Sequence, residues 1–345
     1  MNVAIKSPPE IATASARVAS SVRWARVKRV NRSTVLMFIV TLAVFIAFSV
    51  LSPAFCTIDN LTNVAVQIAP AVIVAVAMTF VITAGMIDLS AGSILALVAV
   101  VGASLLKIGM QSVLVILICL AVGALCGLLN GWFVSYQNIP SFIVTLASTS
   151  VIRGIALLIT KGYSIAIGSE LIFAKVGQGR ILGLGIPAWI AIVVVIIGVI
   201  GLQKMRFGQY VTGIGSNQES VRRAGVNTKF VTMLALTISG AAAGAAGIVT
   251  AARLGSGDAN SGVDFALAVI TAVVIGGTNL LGGKGSVVGT AVGAILVGII
   301  TNGLTLIGLS PYLVPIITGS LLIVVIWINI RGTSLSTFVH RLVRS

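Results

Sequence analysis

Apolar residues run along this chain in blocks long enough to cross a bilayer, whose hydrocarbon core of ~30 Å takes about 20 residues of helix. Such blocks lie near 34–52, 64–84, 89–106, 113–136, 142–160, 187–203, 230–252, 265–282, 286–307 and 312–330. The pattern predicts an all-α integral membrane protein of about ten transmembrane helices. A basic tail at 1–33 precedes the membrane domain at 34–330, and a second tail follows at 331–345. The first apolar block is longer than a signal-peptide core, so it reads as a retained span.

Composition agrees. Hydrophobic residues make up 58% of the chain and charged residues 8%. A soluble domain needs about 25% charged residues to cover its surface. The net charge of +15 would suit a nucleic-acid binder, but its placement does not. Of 22 Lys and Arg residues, 16 fall in the two tails, the 204–229 loop and Lys284. Five fall in the alternate loops (Lys107, Lys161, Lys175, Arg180, Arg253), and Arg153 lies inside a span. Positive charge stays on the cytoplasmic side, so both termini are expected inside.

Asn130-Gly131 and Asn302-Gly303 each close a glycine-rich run, and they stand 172 positions apart. Two halves of five spans each would run in opposite senses, the inverted repeat of many transporters. Chance similarity among glycine-rich helices gives the same match. Glycines four apart, as at 123, 127 and 131 or at 240 and 244, mark faces where helices approach closely. The three cysteines read as packing residues. The one histidine, His340, lies in the tail, which excludes His-based metal or triad chemistry.

Four segments interrupt the apolar pattern. In Gly85-Met86-Ile87-Asp88-Leu89-Ser90, Asp88 and Ser90 read either as a helix cap in a plain turn or as polar groups of a pathway. The polar stretch Ser216 to Asn227 has room for about three helical turns ended by Gly225. Within it Glu219 precedes Arg222 and Arg223 at ion-pair spacing. It serves either to dock a soluble partner or only to orient the chain. Gly276 to Ser286 resembles a phosphate-binding loop, but Thr278 and Gly285 stand where that motif needs glycine and a hydroxyl. No nucleotide site is encoded there. After Pro140, a natural helix start, Ser141, Thr145 and Ser148 offer hydroxyls along one face, as a path for neutral polyols would want.

With these segments in view, the chain resembles the ribose-type permeases of bacterial ABC sugar importers. The resemblance rests on Gly85 to Ser90, Ile139 to Leu146, Arg153-Gly154, Asn217 to Asn227 and Ile275 to Gly285, in order. It implies an inner-membrane permease that carries a monosaccharide, ribose first, inward by alternating access and catalyses no covalent chemistry. It further implies a homodimer, a cytoplasmic ABC ATPase holding the ATP and Mg, and a periplasmic sugar-binding protein. On this reading Asn217, Glu219, Arg222, Arg223, Ala224 and Gly225 form the coupling helix seated in the ATPase. Asp88, Ser90, Asn130, Ser141, Phe142, Thr145, Asn279 and Asn302 are the expected pathway or gate residues, each asparagine alternatively an interhelical hydrogen bond. Relatives carry acids where this chain has Ala266 and Ala268, which bears on partner pairing or specificity. The alternatives are an ion-coupled secondary transporter, for which the buried ionisable residues are few, and an ABC permease for another substrate.

Overall fold

The computed structural model describes residues 32–310 except Glu170, with scattered positions between 312 and 323. Residues 1–31 of the N-terminal tail, the C-terminal tail and most of the tenth predicted span, 312–330, lie outside the described residues. The chain is helical almost throughout. In order come α1 (Arg32–Leu51), α2 (Ile58–Thr83), α3 (Ala91–Lys107), α4 (Ser112–Tyr136) and α5 (Ser141–Thr160). Next follow β1 (Ile165–Ala166), α6 (Ile172–Gln178), β2 (Arg180–Ile181) and β3 (Leu184–Gly185). The rest comprises α7 (Ile186–Gln203), α8 (Arg206–Arg223), α9 (Thr228–Leu254), β4 (Ser256–Gly257), α10 (Phe265–Ile275) and α11 (Val287–Leu306).

Six of these helices (α2, α4, α5, α7, α9 and α11) are long and apolar enough to cross a membrane. The Met37–Leu51 part of α1, together with α3 and α10, is apolar but shorter. The core lies where α2, α3, α9 and α10 meet, filled by Ile73, Met78, Ile94, Leu95, Val98 and Leu236. The outer helices turn large apolar side chains outward, among them Leu117, Leu125, Ile192, Ile196 and Ile197. Water would not tolerate so much exposed apolar surface, whereas lipid requires it.

The glycine stripe of α4 does what its spacing predicts. Gly123, Gly127 and Gly131 lie against Gly240, Leu236 and Met233 of α9, backbone to backbone. A β-carbon on Gly123 would stand 2.6 Å from the Gly240 carbonyl oxygen, so the two helices approach only because none is there.

One span differs from expectation. The apolar block at 265–282 is helical only to Ile275. Gly276 and Gly277 interrupt it, and Asn279 turns the chain by accepting from Leu281 N and donating its own N–H to the Lys284 carbonyl. Eleven residues of helix cover about 16 Å, roughly half the hydrocarbon core. The loop after α10 and the break between α2 and α3 are therefore irregular backbone held inside the bundle, with Thr278, Ala84, Met86, Asp88 and Ser90 all buried.

Connections between helices sort to two opposite ends. At one end β1 pairs antiparallel with β4, and Arg153 donates to Asn260. At the other, α8 and residues 84–87, 138–142 and 280 wall a common cavity, and Gly283 N donates to the Thr83 carbonyl.

Candidate functional site

The Asp88 carboxylate is fully buried in the break between α2 and α3. Its Oδ1 accepts from Ser90 N at 2.9 Å and Ser90 Oγ at 2.6 Å, and its Oδ2 accepts from Ser239 Oγ on α9 at 2.7 Å. Asn130 Nδ2 on α4 donates to Ser90 Oγ at 2.9 Å. The turn and two helices thus converge on one acid, which has no salt bridge among the described residues. A buried carboxylate with no counter-ion holds its place only while each donor around it is fixed. Ser90 is the N-cap of α3 but makes no side-chain cap bond, so the carboxylate does not cap the helix: it holds the turn before α3 and ties it to α9.

The same break is held from outside by α5. Ile87 N donates to Ser141 Oγ at 3.1 Å. The Thr145 and Thr149 hydroxyls lie 3.2 and 3.1 Å from the carbonyls of Ile87 and Leu89, and each also lies 2.8 Å from its own carbonyl four residues back. One proton serves both acceptors in each case. The ladder is Ser141, Thr145 and Thr149, at strict four-residue spacing. Ser148, the expected third member, instead lines an apolar cavity between α3, α4 and α5 together with Asn130 and Cys126.

The polar stretch at 216–227 differs from the three-turn helix expected. Asn217 has extended backbone (φ −162°, ψ 97°) and divides α8 in two. Its Oδ1 accepts from Ser220 N at 2.9 Å, so it caps a short second segment running to Arg223. Gly225, with φ +84°, ends that segment: its N–H bonds the Arg222 carbonyl, and Val226 N bonds that of Val221. Ala224 is the C-cap. Glu219 accepts from Arg222 through two bonds of 2.8 Å and from Arg223 Nε at 3.0 Å. Those bonds hold the exposed Glu219 carboxyl down at about 2, well below its ordinary range.

A cavity of about 910 Å³ joins the two regions. Its walls include Met86, Ile87, Ser135, Ser141, Phe142, Glu219 and Arg222. The first part of α8 also touches the break main chain to main chain, beside the stacked rings of Phe207 and Phe80. A β-carbon on Gly282, at φ +84°, would stand 2.9 Å from Gly85 Cα and 3.0 Å from Gly215 Cα, so three segments meet where no side chain fits.

Two expected residues lie elsewhere. Asn302 faces Asn60 near the opposite end of the bundle, and their amides exchange two hydrogen bonds of 3.0 Å. Asn279 is exposed in its turn, with Leu280 beside the large cavity. Sequence reading missed Ser239, Thr149 and Asn60. Only Thr149 carried a signal, as the next step of the Ser141–Thr145 spacing.

The family described as "Branched-chain amino acid transport system / permease component" matches residues 60–326. The chain is similar to the ribose import permease protein RbsC of Haemophilus influenzae, at 35% identity over 76% of this chain and 82% of the relative. It is 37% identical to the RbsC of Escherichia coli, over 76% and 83% of the two chains. To the D-allose transport system permease protein AlsC of Escherichia coli it is 34% identical, over 75% and 80%. No solved structure matches.

Proposed function

The chain belongs to the branched-chain amino acid transport system permease family, in its ribose-type ABC branch, and on that premise we propose that it is the membrane subunit of an importer carrying a monosaccharide, ribose first, into the cell. The family description covers permeases for amino acids as well. Relatives named for ribose import and for D-allose transport favour the sugar reading.

The protein sits in the bacterial inner membrane as a homodimer, with the α8 end in the cytoplasm. A cytoplasmic ATPase binds the ATP and Mg, and a periplasmic binding protein delivers the sugar. The permease does no covalent chemistry. The observation that carries the mechanism is the shared cavity. The short segment after Asn217 walls it on one side, and the unwound residues before Asp88, with the start of α5, wall it on the other. A push from the ATPase on Glu219, Arg222, Arg223 and the Ala224–Gly225 stop reaches the break through this cavity and the glycine contact. Asp88, Ser90, Asn130, Ser141, Phe142 and Thr145 then act as the gate at this end. The asparagines at 60 and 302, bonded to each other, hold the far end, and Asn279 fixes the turn after α10.

Ten spans in two antiparallel halves complete the reading. The fourth helix of each half packs on the second helix of the other, α4 on α9 and α11 on α2. Asn130 and Asn302 lie toward opposite ends, as inversion requires. An ion-coupled carrier is less well supported, because no second acid or histidine hydrogen-bonds Asp88 among the described residues to pass a proton on.

The test is uptake of radiolabelled ribose into proteoliposomes, with the ATPase and binding protein added or withheld. Uptake is expected only with ATP and both partners. Uptake by the chain alone on a proton or sodium gradient would overturn the reading.

A further inference from the structure

At the end of the bundle opposite α8, a second cavity of about 260 Å³ lies between the first turns of α2, the end of α6, the β2–β3 hairpin and the last turn of α9. Two arginines are among its lining residues, Arg180 and Arg253, together with Thr62, Asn63 and Gln178. No acidic residue is among its lining residues. Arg253 is half-buried, and its Nε is sealed from solvent with no hydrogen-bond partner. Neither arginine makes a salt bridge with any described residue.

A buried N–H without an acceptor costs the full desolvation of that group, and on a charged side chain the cost is larger. Such a donor persists where a ligand supplies the acceptor. Two arginines lining one cavity suit an oxyanion with several oxygens, since a guanidinium grips such a group through paired bonds. The surroundings narrow the class. Ile58, Ile181, Leu182 and Leu254, on the same α2, hairpin and α9 ends, are exposed, Leu182 by 91%. Apolar side chains exposed around a cationic hollow at the ends of spanning helices fit a bilayer surface, with the chains in the acyl layer and the arginines at headgroup level. We infer that the Arg180–Arg253 cavity binds a phosphate group, supplied by an anionic phospholipid headgroup or by free phosphate. Nothing in the sugar reading requires this site, and its test needs no transport.

The full-length chain, purified in a phosphate-free maltoside detergent, is titrated separately with phosphatidylglycerol and with inorganic phosphate. Melting temperature and native mass spectrometry are the readouts. Stabilisation and a retained lipid with phosphatidylglycerol alone identify a headgroup, whereas a shift with inorganic phosphate identifies the free ion. Arg253→Gln is expected to weaken the effective ligand about tenfold, the loss of one charge-assisted hydrogen bond. Arg180→Gln, at an exposed side chain with no salt bridge, weakens it without loss of folding. If Arg253→Gln does not fold, the wild-type titrations and Arg180→Gln decide. No shift from either compound, or shifts unchanged in the variants that fold, overturns the proposal.

Discussion

Asp88 and Glu219 are acids in glycine-bounded segments, near one another along the path proposed for coupling, yet they are stabilised in opposite ways. Asp88 is buried without a counter-ion and is held by two serines, one from its own turn and one from α9. Glu219 is half-exposed and carries two arginines, one gripping it through two bonds. Inside the bundle a carboxylate can be kept only by fixed neutral donors, which tie distant helices to one point. At the surface water shares the charge, so the ion pairs add little to stability and are free to serve contact with another protein.

The contrast breaks most visibly at the buried acid. Asp88→Ala leaves Ser90 and Ser239 without their acceptor and is expected to cost about 3 kcal/mol, with loss of melting temperature and of uptake together. A variant that melts like the wild type would show that the cluster does not hold the break. Reversal at the surface, Glu219→Arg with Arg222→Glu and Arg223→Glu, is expected to lower sugar moved per ATP about tenfold while melting stays unchanged. Normal coupling in that variant would remove the segment from the mechanism. Asn217→Ala deletes the cap of the short segment, worth about 1 kcal/mol of local helix, and is read as faster amide exchange at Ser220 and its neighbours. The smallest effect sharpens the comparison by its absence. With its carboxyl held at about 2, Glu219 is fully ionised above the ordinary range, and its pairing is lost only as pH falls toward that value. Coupling is therefore expected to stay flat from neutral pH down to about pH 5, measured as uptake per ATP.

Much of this was legible in the chain itself. Nine of the apolar blocks became helices, because in lipid the backbone N–H and C=O groups of such a run must pair within it, and a helix does that. The spacing of Glu219 to Arg222 and Arg223, and Gly225 as a stop, were also readable, since both are local. What escaped reading was either long-range or a contest between local signals. Ser239 meets Asp88 across 151 positions and Asn60 meets Asn302 across 242, and no periodicity encodes such partners. The apolar block at 265–282 continues through Leu280 and Leu281, so hydropathy hid the glycines that end α10 at Ile275. Asn217 reads as one more member of the coupling helix, although its extended backbone breaks that helix and its side chain caps a new one.

The meeting of Gly85, Gly215 and Gly282 has a mechanical consequence. Joints between helices ordinarily contain side chains, and rotamer changes there absorb small displacements as play in a bearing does. At Gly215 and Gly282 main chain rests on main chain, so at that point no rotamer change can take up a displacement. Any shift of the first part of α8 must be met by the ends of α2 and of the loop after α10 in the same movement, and a methyl group on Gly215 or Gly282 would wedge the joint open rather than stiffen it.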